Sequence, residues 1–368
     1  MIYFDHNATT PIDDRVVEVM LPYLQQLYGN ASSLYRLGRI ARSAIDTARE
    51  QVAALIDAPA SQILFTSGGT EANALAIACI QGRRVWSSAI EHPAVSENIS
   101  NRYGQFKAVN TIEVDDSGVV VTPRVSDLAL QHGDCVSLML ANNETGAIQP
   151  VSTWVDCVKA VDGWIHTDAV QAVGKMPVSF RELDVDLMSI SSHKIYGPKG
   201  CGALVWRSDV AMQPLQRGGD QEFGLRAGTE NVAAIVGFGK AAELAKLELE
   251  QRISRMQDLR CYLEQQLKLI PGLVIFAEQA LRLPNTVQFG IPDVNGEMLL
   301  MQLDQKSIAV SSGSACATGS EQISQVLEAM GVDVVLAKSA IRVSLGKSNT
   351  AAEVDQFVSV LKTLLARN

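Results

Sequence analysis

Residues 63–80 read ILFTSGGTEANALAIACI, in which a short apolar run ends in Ser-Gly-Gly-Thr and a stretch with helical spacing of apolar residues follows. Similar apolar runs recur between helix-like stretches farther along the chain: RVWSSA (84–89), VSLMLAN (136–142), WIHTDAV (164–170), DLMSIS (186–191) and GALVW (202–206). Continuous apolar strands that alternate with helices are typical of a mostly parallel sheet covered by helices on both faces. The first two thirds of the chain are therefore predicted to form an α/β domain.

The pattern changes after residue 232. Residues 232–270 have the spacing of one long helix, and residues 272–368 mix short strands with helices. This change predicts a large α/β domain over residues 12–250 and a smaller α+β domain formed by residues 1–11 and 251–368.

Bulk properties exclude several classes of protein. The chain has 368 residues and a net charge of −9, which argues against binding to phosphate backbones of nucleic acids. No apolar run approaches the roughly 20 residues that span a bilayer, and the start MIYFDHNATTP lacks the regions of a signal peptide, so a cytoplasmic location is expected. The six cysteines and five histidines lack the spacings of a disulfide framework or a metal site.

Polar residues follow three of the apolar runs, where the carboxyl ends of parallel strands form binding sites. Gly69 and Thr70 lie in a turn before a helix, Asp168 ends one run, and Lys194 follows another. Taken alone, each has an ordinary alternative: a simple turn, a helix cap and a solvated loop lysine. Together they match what pyridoxal 5'-phosphate (PLP) requires, which is amides for its phosphate, a carboxylate for its ring nitrogen and an amine for its aldehyde.

Three further side chains extend this hypothesis. His92 follows a strand and could stack on the cofactor ring and move protons, although a histidine beside proline is otherwise a loop residue. Cys316 lies in SSGSACATGS (311–320), whose small residues suit a mobile nucleophile, whereas the other cysteines have the positions of structural thiols. Arg342 is flanked by apolar residues and could bind a substrate carboxylate or form a structural salt bridge.

The motifs FDHNATTP (4–11), DAVQAVGK (168–175), HKIYGPKG (193–200) and SSGSAC (311–316) resemble those of cysteine desulfurases of the nitrogen-fixation and iron–sulfur-assembly type, in the aminotransferase class V group. The resemblance implies the type I fold of PLP-dependent transferases. It also implies removal of sulfur from L-cysteine, with L-alanine as product and a persulfide passed to a sulfur-acceptor or cluster-scaffold protein. The alternative enzyme on this fold is a selenocysteine lyase or related β-lyase, and a non-catalytic sulfur carrier or scaffold is the alternative of another class.

The resemblance also implies roles for individual residues. Lys194 would form the Schiff base with PLP, Asp168 would hold the pyridinium nitrogen, and His92 would stack on the ring. Cys316 would carry the persulfide, and Arg342 would clamp the substrate carboxylate.

The remaining residues would complete the cofactor site. Gln171 and Asn143 are expected near the ring hydroxyl, with Asn143 also near the substrate. The residues expected at the phosphate are Thr70, Ser191 and His193, beside Gly69 of the turn. Thr229, in GLRAGTEN (224–231), would reach the phosphate of the neighbouring subunit, which implies a homodimer with shared sites.

Overall fold

The structure, a computed structural model, describes residues 1–80, 84–104, 109–121, 130–312 and 323–366. Its strands are β1 Ile2–Tyr3, β2 Ile63–Thr66, β3 Val85–Ser88, β4 Val109–Ile112, β5 Cys135–Ser137, β6 Trp164–Asp168, β7 Leu187–Ser191, β8 Gly202–Trp206, β9 Val274–Ile275, β10 Thr286–Gly290, β11 Ile308–Ala309, β12 Ser311–Ser312 and β13 Ile341–Ser344. Its α-helices are α1 Asp14–Gln25, α2 Arg36–Leu55, α3 Gly69–Cys79, α4 Pro93–Tyr103, α5 Val151–Lys159, α6 Phe180–Leu183, α7 Val232–Leu247, α8 Leu249–Leu267, α9 Gly296–Asp304, α10 Gln325–Ala329, α11 Val334–Lys338 and α12 Ala351–Leu365.

Seven strands form the main sheet in the order β2-β8-β7-β6-β5-β3-β4. Only β8 runs antiparallel to its neighbours within this sheet, and the other four pairs are parallel. β7 and β8 are buried along their whole length, as expected for apolar runs inside a sheet with both faces covered. The predicted α/β fold with a mostly parallel sheet is confirmed.

The side chains of β2 show that helices cover both faces of this sheet. Ile63 and Phe65 pack in a core cluster with residues of α2 and α7, whereas Leu64 packs with residues of α3. Successive side chains of a strand point to opposite faces. Helices α2 and α7 therefore lie on one face and α3 lies on the other.

A second sheet and a second core form from the ends of the chain. Strands β12, β13, β10 and β9 make an antiparallel sheet, and β1 pairs in parallel with β11. Their apolar residues pack with those of α8, α9 and α12, and the rings of Phe4 and Phe357 meet edge to face at 5.8 Å. These separate cores support, as a proposal, the division into residues 12–250 and residues 1–11 with 251–368.

The prediction of one long helix over residues 232–270 was wrong, because α7 ends at Leu247 and α8 begins at Leu249. Glu248 between them leaves helical geometry, and its carboxylate forms ion pairs with Arg15 at 2.7 Å and Arg252 at 2.8 Å. The break lets α7 pack against α2 in one core and α8 against α12 in the other. Apolar spacing continues through the break, so the sequence carries no signal for it.

The loops after β3, β5, β6 and β7 and the start of α3 meet at the carboxyl edge of the main sheet and surround one cavity. Binding sites of parallel α/β sheets form at this edge. None of the helices in the described ranges combines the length and apolar character needed to cross a membrane.

Candidate active site

The cavity at the carboxyl edge has a volume of about 370 Å³. Ten of the predicted site residues line it: Gly69, Thr70, His92, Asn143, Asp168, Gln171, Ser191, His193, Lys194 and Arg342. Thr229 is exposed and is not among the lining residues. Cys316 falls in residues 313–322, outside the described residues. The fold therefore brings together side chains that are up to 273 positions apart in the sequence, from Gly69 to Arg342.

Asp168 is the last residue of β6, and its carboxylate is fixed by two donors. The Nδ2 of Asn73 donates to Oδ2 at 2.7 Å, and the backbone N–H of Val170 donates to Oδ1 at 2.9 Å. The bond to Val170 is the contact of a local turn, and no helix begins at residues 169–176, so the helix cap considered from the sequence is not present. Because Asp168 is also buried and lines the cavity, the same carboxylate can accept a third donor from a bound ligand.

Lys194 ends the 3-10 turn Ser192–Lys194 that follows β7, and its side chain is half-buried. Its Nζ donates to the backbone oxygen of Ala8 at 2.8 Å and to that of Asn7. Lys194 is therefore not a solvated loop lysine. The N-terminal segment that holds it also lines the cavity, so the amine lies where a ligand aldehyde would enter.

His92 is the N-cap of α4, and its Nδ1 accepts the backbone N–H of Ala94 at 3.0 Å. The pKa of His92 is lowered, and burial is the largest cause. The charge of Asp168 opposes this effect, and the charge of Lys194 adds to it. A neutral imidazole whose Nδ1 accepts carries its proton on Nε2. His92 therefore caps a helix at the cavity wall, unlike the loop residue considered as the alternative, and its Nε2–H takes no part in the capping contact.

Small and polar residues line the cavity at the start of α3. Gly69 is the first residue of that helix, and a Cβ added to it would lie 3.0 Å from Cγ2 of Val170 and 3.6 Å from Cβ of Ser191. The buried hydroxyl of Ser191 has no hydrogen-bond partner within the described ranges. His193 lies beside it on the same turn; burial and the charge of Lys194 lower the pKa of His193 to about 4.

Arg342 lies on β13 and is only 2% exposed. Its Nη2 forms an ion pair with Asp5 at 2.7 Å, and its Nη1 donates to the backbone oxygen of Asn143 at 3.1 Å. The structural salt bridge considered from the sequence is therefore present. It occupies only part of the guanidinium, which also lines the cavity and keeps donors for a carboxylate.

Several buried polar residues around these side chains were not predicted from the sequence, including Asn7, Asn73, Glu91 and Lys175. Asn73 had a signal, because it is a polar residue inside the apolar run of α3, where an amide needs a buried partner. Asn7 lies in FDHNATTP, which was quoted as a motif without a role for any one residue. Glu91 and Lys175 had no local signal beyond their charge.

These residues fit PLP. The unpaired Ser191 hydroxyl and the free amides of the first turn of α3 match a phosphate. The fixed Asp168 carboxylate matches a protonated ring nitrogen, and the Lys194 amine matches an aldehyde.

Comparisons with known proteins agree with this chemistry. The family model for aminotransferase class-V matches residues 2–357. The chain is 40% identical over 373 residues to cysteine desulfurase IscS of Dictyoglomus turgidum, covering 100% of this chain and 95% of that protein. It is 41% identical over 373 residues to cysteine desulfurase 1 of Trichormus variabilis, covering 100% and 93% respectively.

A solved structure described as a NifS-like protein aligns over 100% of both chains, with a TM-score of 0.93 and 38% identity. Another, SspA in complex with cysteine, aligns over 95% of this chain and 100% of its own, with a TM-score of 0.81 and 28% identity. Similarity of this extent leaves no part of the main fold unmatched. The chain therefore belongs to the aminotransferase class-V family of PLP-dependent enzymes, among the cysteine desulfurases.

Proposed function

We propose that this protein is a PLP-dependent cysteine desulfurase, which removes sulfur from L-cysteine and releases L-alanine. The observation that carries the proposal is one cavity that joins the amine of Lys194, the fixed carboxylate of Asp168 and a buried guanidinium, that of Arg342. These three groups match the aldehyde of PLP, its ring nitrogen and the carboxylate of an amino-acid substrate.

The proposed roles follow from the contacts of each side chain. When bound, PLP withdraws electrons from the substrate through its protonated ring. Asp168 would keep the ring nitrogen protonated, because its two protein donors hold the carboxylate in place. Ser191 and the first turn of α3 would hold the phosphate, and Lys194 would bind the aldehyde.

The chain's own residues then bind the substrate and move its protons. Arg342 would bind the substrate carboxylate and fix its orientation. The amine of Lys194, once released by the substrate, would take the α-proton. His92 presents Nε2–H to the cavity and would assist proton movement at the substrate sulfur.

Cys316 is proposed as the sulfur carrier on the strength of the sequence. Its thiolate would attack the substrate sulfur as the bond between that sulfur and Cβ breaks. Cβ keeps the bonding electrons and gains a proton, and Cα regains a proton from the amine of Lys194, which gives L-alanine. The sulfur stays on Cys316 as a persulfide. A thiol of an acceptor protein would then take the terminal sulfur.

We also propose a cytoplasmic homodimer that delivers sulfur to an acceptor or cluster-scaffold protein. The exposure of Thr229 away from the cavity of its own chain supports a role at the site of a second subunit.

The test is an absorbance spectrum of the purified protein, followed by borohydride reduction and mapping of the labelled peptide. We expect the label on Lys194 and its loss in Lys194→Ala. Cys316→Ala should keep the cofactor band but stop the formation of alanine from L-cysteine. A label on another lysine, or alanine production that survives in Cys316→Ala, would contradict the proposal. Alanine formed from L-selenocysteine without Cys316 would instead indicate the lyase alternative.

A further inference from the structure

Lys175 ends the DAVQAVGK motif and is 5% exposed, although the proposed mechanism does not use it. Its Nζ donates to Oε1 of Gln171 at 2.6 Å and to Oδ1 of Asn7 at 2.9 Å. Within the ranges the structure describes, no carboxylate forms an ion pair with it. Burial of a lysine amine costs free energy when no carboxylate compensates its charge.

The two contacts help to orient both amides, together with the bonds that the Asn7 amide makes to Asn143 and Asn285. A lysine nitrogen donates hydrogen bonds, so the atoms it meets on Gln171 and Asn7 must be the amide oxygens. The Nε2 of Gln171 then points away from Lys175 and donates to the backbone oxygen of Asn7 at 2.9 Å. The bond to the backbone oxygen of Asn7 favours the same orientation, so without Lys175 the amide of Gln171 would lose one of the two contacts that orient it.

The same backbone oxygen of Asn7 also accepts from Nζ of Lys194. Gln171, Asn7 and Lys194 all line the cavity, whereas Lys175 lies behind them and does not. Lys175 therefore contacts two of the residues that surround the Lys194 amine without reaching the cavity itself.

Three titratable groups face Lys175 from two directions. Lys194 and Arg342 approach from the cavity, and His6 lies near it on the N-terminal segment. Burial, followed by the charges of Lys194 and Arg342, lowers the pKa of Lys175 well below its usual range. A neutral amine still has two N–H groups for its two oxygen partners, but only the protonated amine, which has no lone pair, excludes an amide N–H as a partner.

We propose that Lys175 is a positioning residue for the cofactor. It helps to keep Nε2 of Gln171 in place as a hydrogen-bond donor, and it holds the side chain of Asn7, whose backbone oxygen accepts from the Lys194 amine. This inference rests on the proposed function, because it concerns how the same cavity receives PLP.

The test compares Lys175→Met, which keeps the length of the side chain and removes its donors, with Val173→Ala as the matched control. Val173 is 3% exposed in the same motif but does not line the cavity, so its truncation should lower stability alone. For Lys175→Met we expect roughly tenfold weaker binding of PLP to the apoprotein and a shifted pH midpoint of the PLP absorbance band. Lys175→Leu, which also has no donors, serves as a second variant if Lys175→Met does not fold.

A double-mutant cycle with Gln171→Ala tests the route of the effect. If Lys175 acts through Gln171, Lys175→Met should weaken PLP binding much less in the Gln171→Ala background than in the wild type. Equal losses in both backgrounds would overturn the proposed role of Lys175 in orienting Gln171. The proposal would also be overturned if Lys175→Met bound PLP with wild-type affinity and a wild-type pH titration of the absorbance band, and lost only as much stability as Val173→Ala. A wild-type protein that binds no PLP would instead refute the proposed function.

Discussion

Glu91, the residue before His92, should make the stability of the protein depend strongly on pH. It is 4% exposed, and its Oε1 accepts from Oγ of Ser88 at 2.6 Å and from the backbone N–H of Met139 at 2.7 Å. Its Oε2 has no partner among the described residues. Burial, with a smaller effect of the Asp168 charge, raises the pKa of Glu91 to about 8.

The direction of this pH dependence follows from the number of protons bound by the folded and the unfolded protein. Between the ordinary pKa of 4.5 and a pKa of about 8, the folded protein keeps a proton on Glu91 that the unfolded chain has lost. The contribution of Glu91 to the free energy of unfolding is therefore largest below pH 4.5 and falls by roughly 1.4 kcal/mol per pH unit as the pH rises through that window. Between pH 5 and 8 the loss is up to about 4 kcal/mol.

Glu91→Gln removes the titration but keeps an oxygen that can accept the bonds from Ser88 and Met139. Urea unfolding of both proteins from pH 5 to 8, at one protein concentration, should show the variant gaining stability over the wild type by up to about 4 kcal/mol. All other titrating groups are common to both proteins and cancel. Glu97→Gln, which removes an exposed carboxylate of α4, is the charge-matched control. Parallel stability curves for wild type and Glu91→Gln would refute the reasoning.

Three further substitutions test the site and the core. Ser191→Ala should weaken PLP binding to the apoprotein by roughly fivefold but change the free energy of unfolding by less than about 0.5 kcal/mol, because the hydroxyl has no protein partner in the described ranges. PLP titration and urea unfolding measure the two effects, and an equal loss in each would contradict the prediction. Arg342→Met should lower kcat/KM for L-cysteine by roughly 30- to 150-fold in alanine-formation assays and leave the PLP absorbance band in place. A normal kcat/KM would show that Arg342 does not bind the substrate carboxylate. Arg49 and Glu222 form a buried ion pair at 2.6 Å. Arg49→Met should lower the free energy of unfolding by about 3–5 kcal/mol, because the buried Glu222 carboxylate loses its cation. A change under about 1 kcal/mol in urea unfolding would rule this out.

Much of the main sheet could be predicted because fully buried strands leave continuous apolar runs. The runs that end near Asp168 and Ser191 became β6 and β7, and Lys194 follows β7 as expected. The direction of β8 could not be predicted in the same way. GALVW is buried at every position, so its apolar pattern is the same for a parallel and an antiparallel strand.

The residues that support the site were harder to predict than those that line it. Asn73 fixes Asp168, and Asn7 joins Lys194 to Gln171, but each contact spans a large distance along the chain. Hydrogen-bond partners of this kind have no spacing that a sequence pattern can show.

The sequence by itself determined which chemical groups are available and at which strand ends they lie, because apolar runs and the turns after them are local properties of the chain. The tertiary structure alone decided that the N-terminal segment lies beside Lys194, that Arg342 of the second sheet reaches the cavity of the first, and that Lys175 is buried behind both amides. These arrangements depend on packing between the two cores, and packing places residues together by shape and burial rather than by their separation in the sequence.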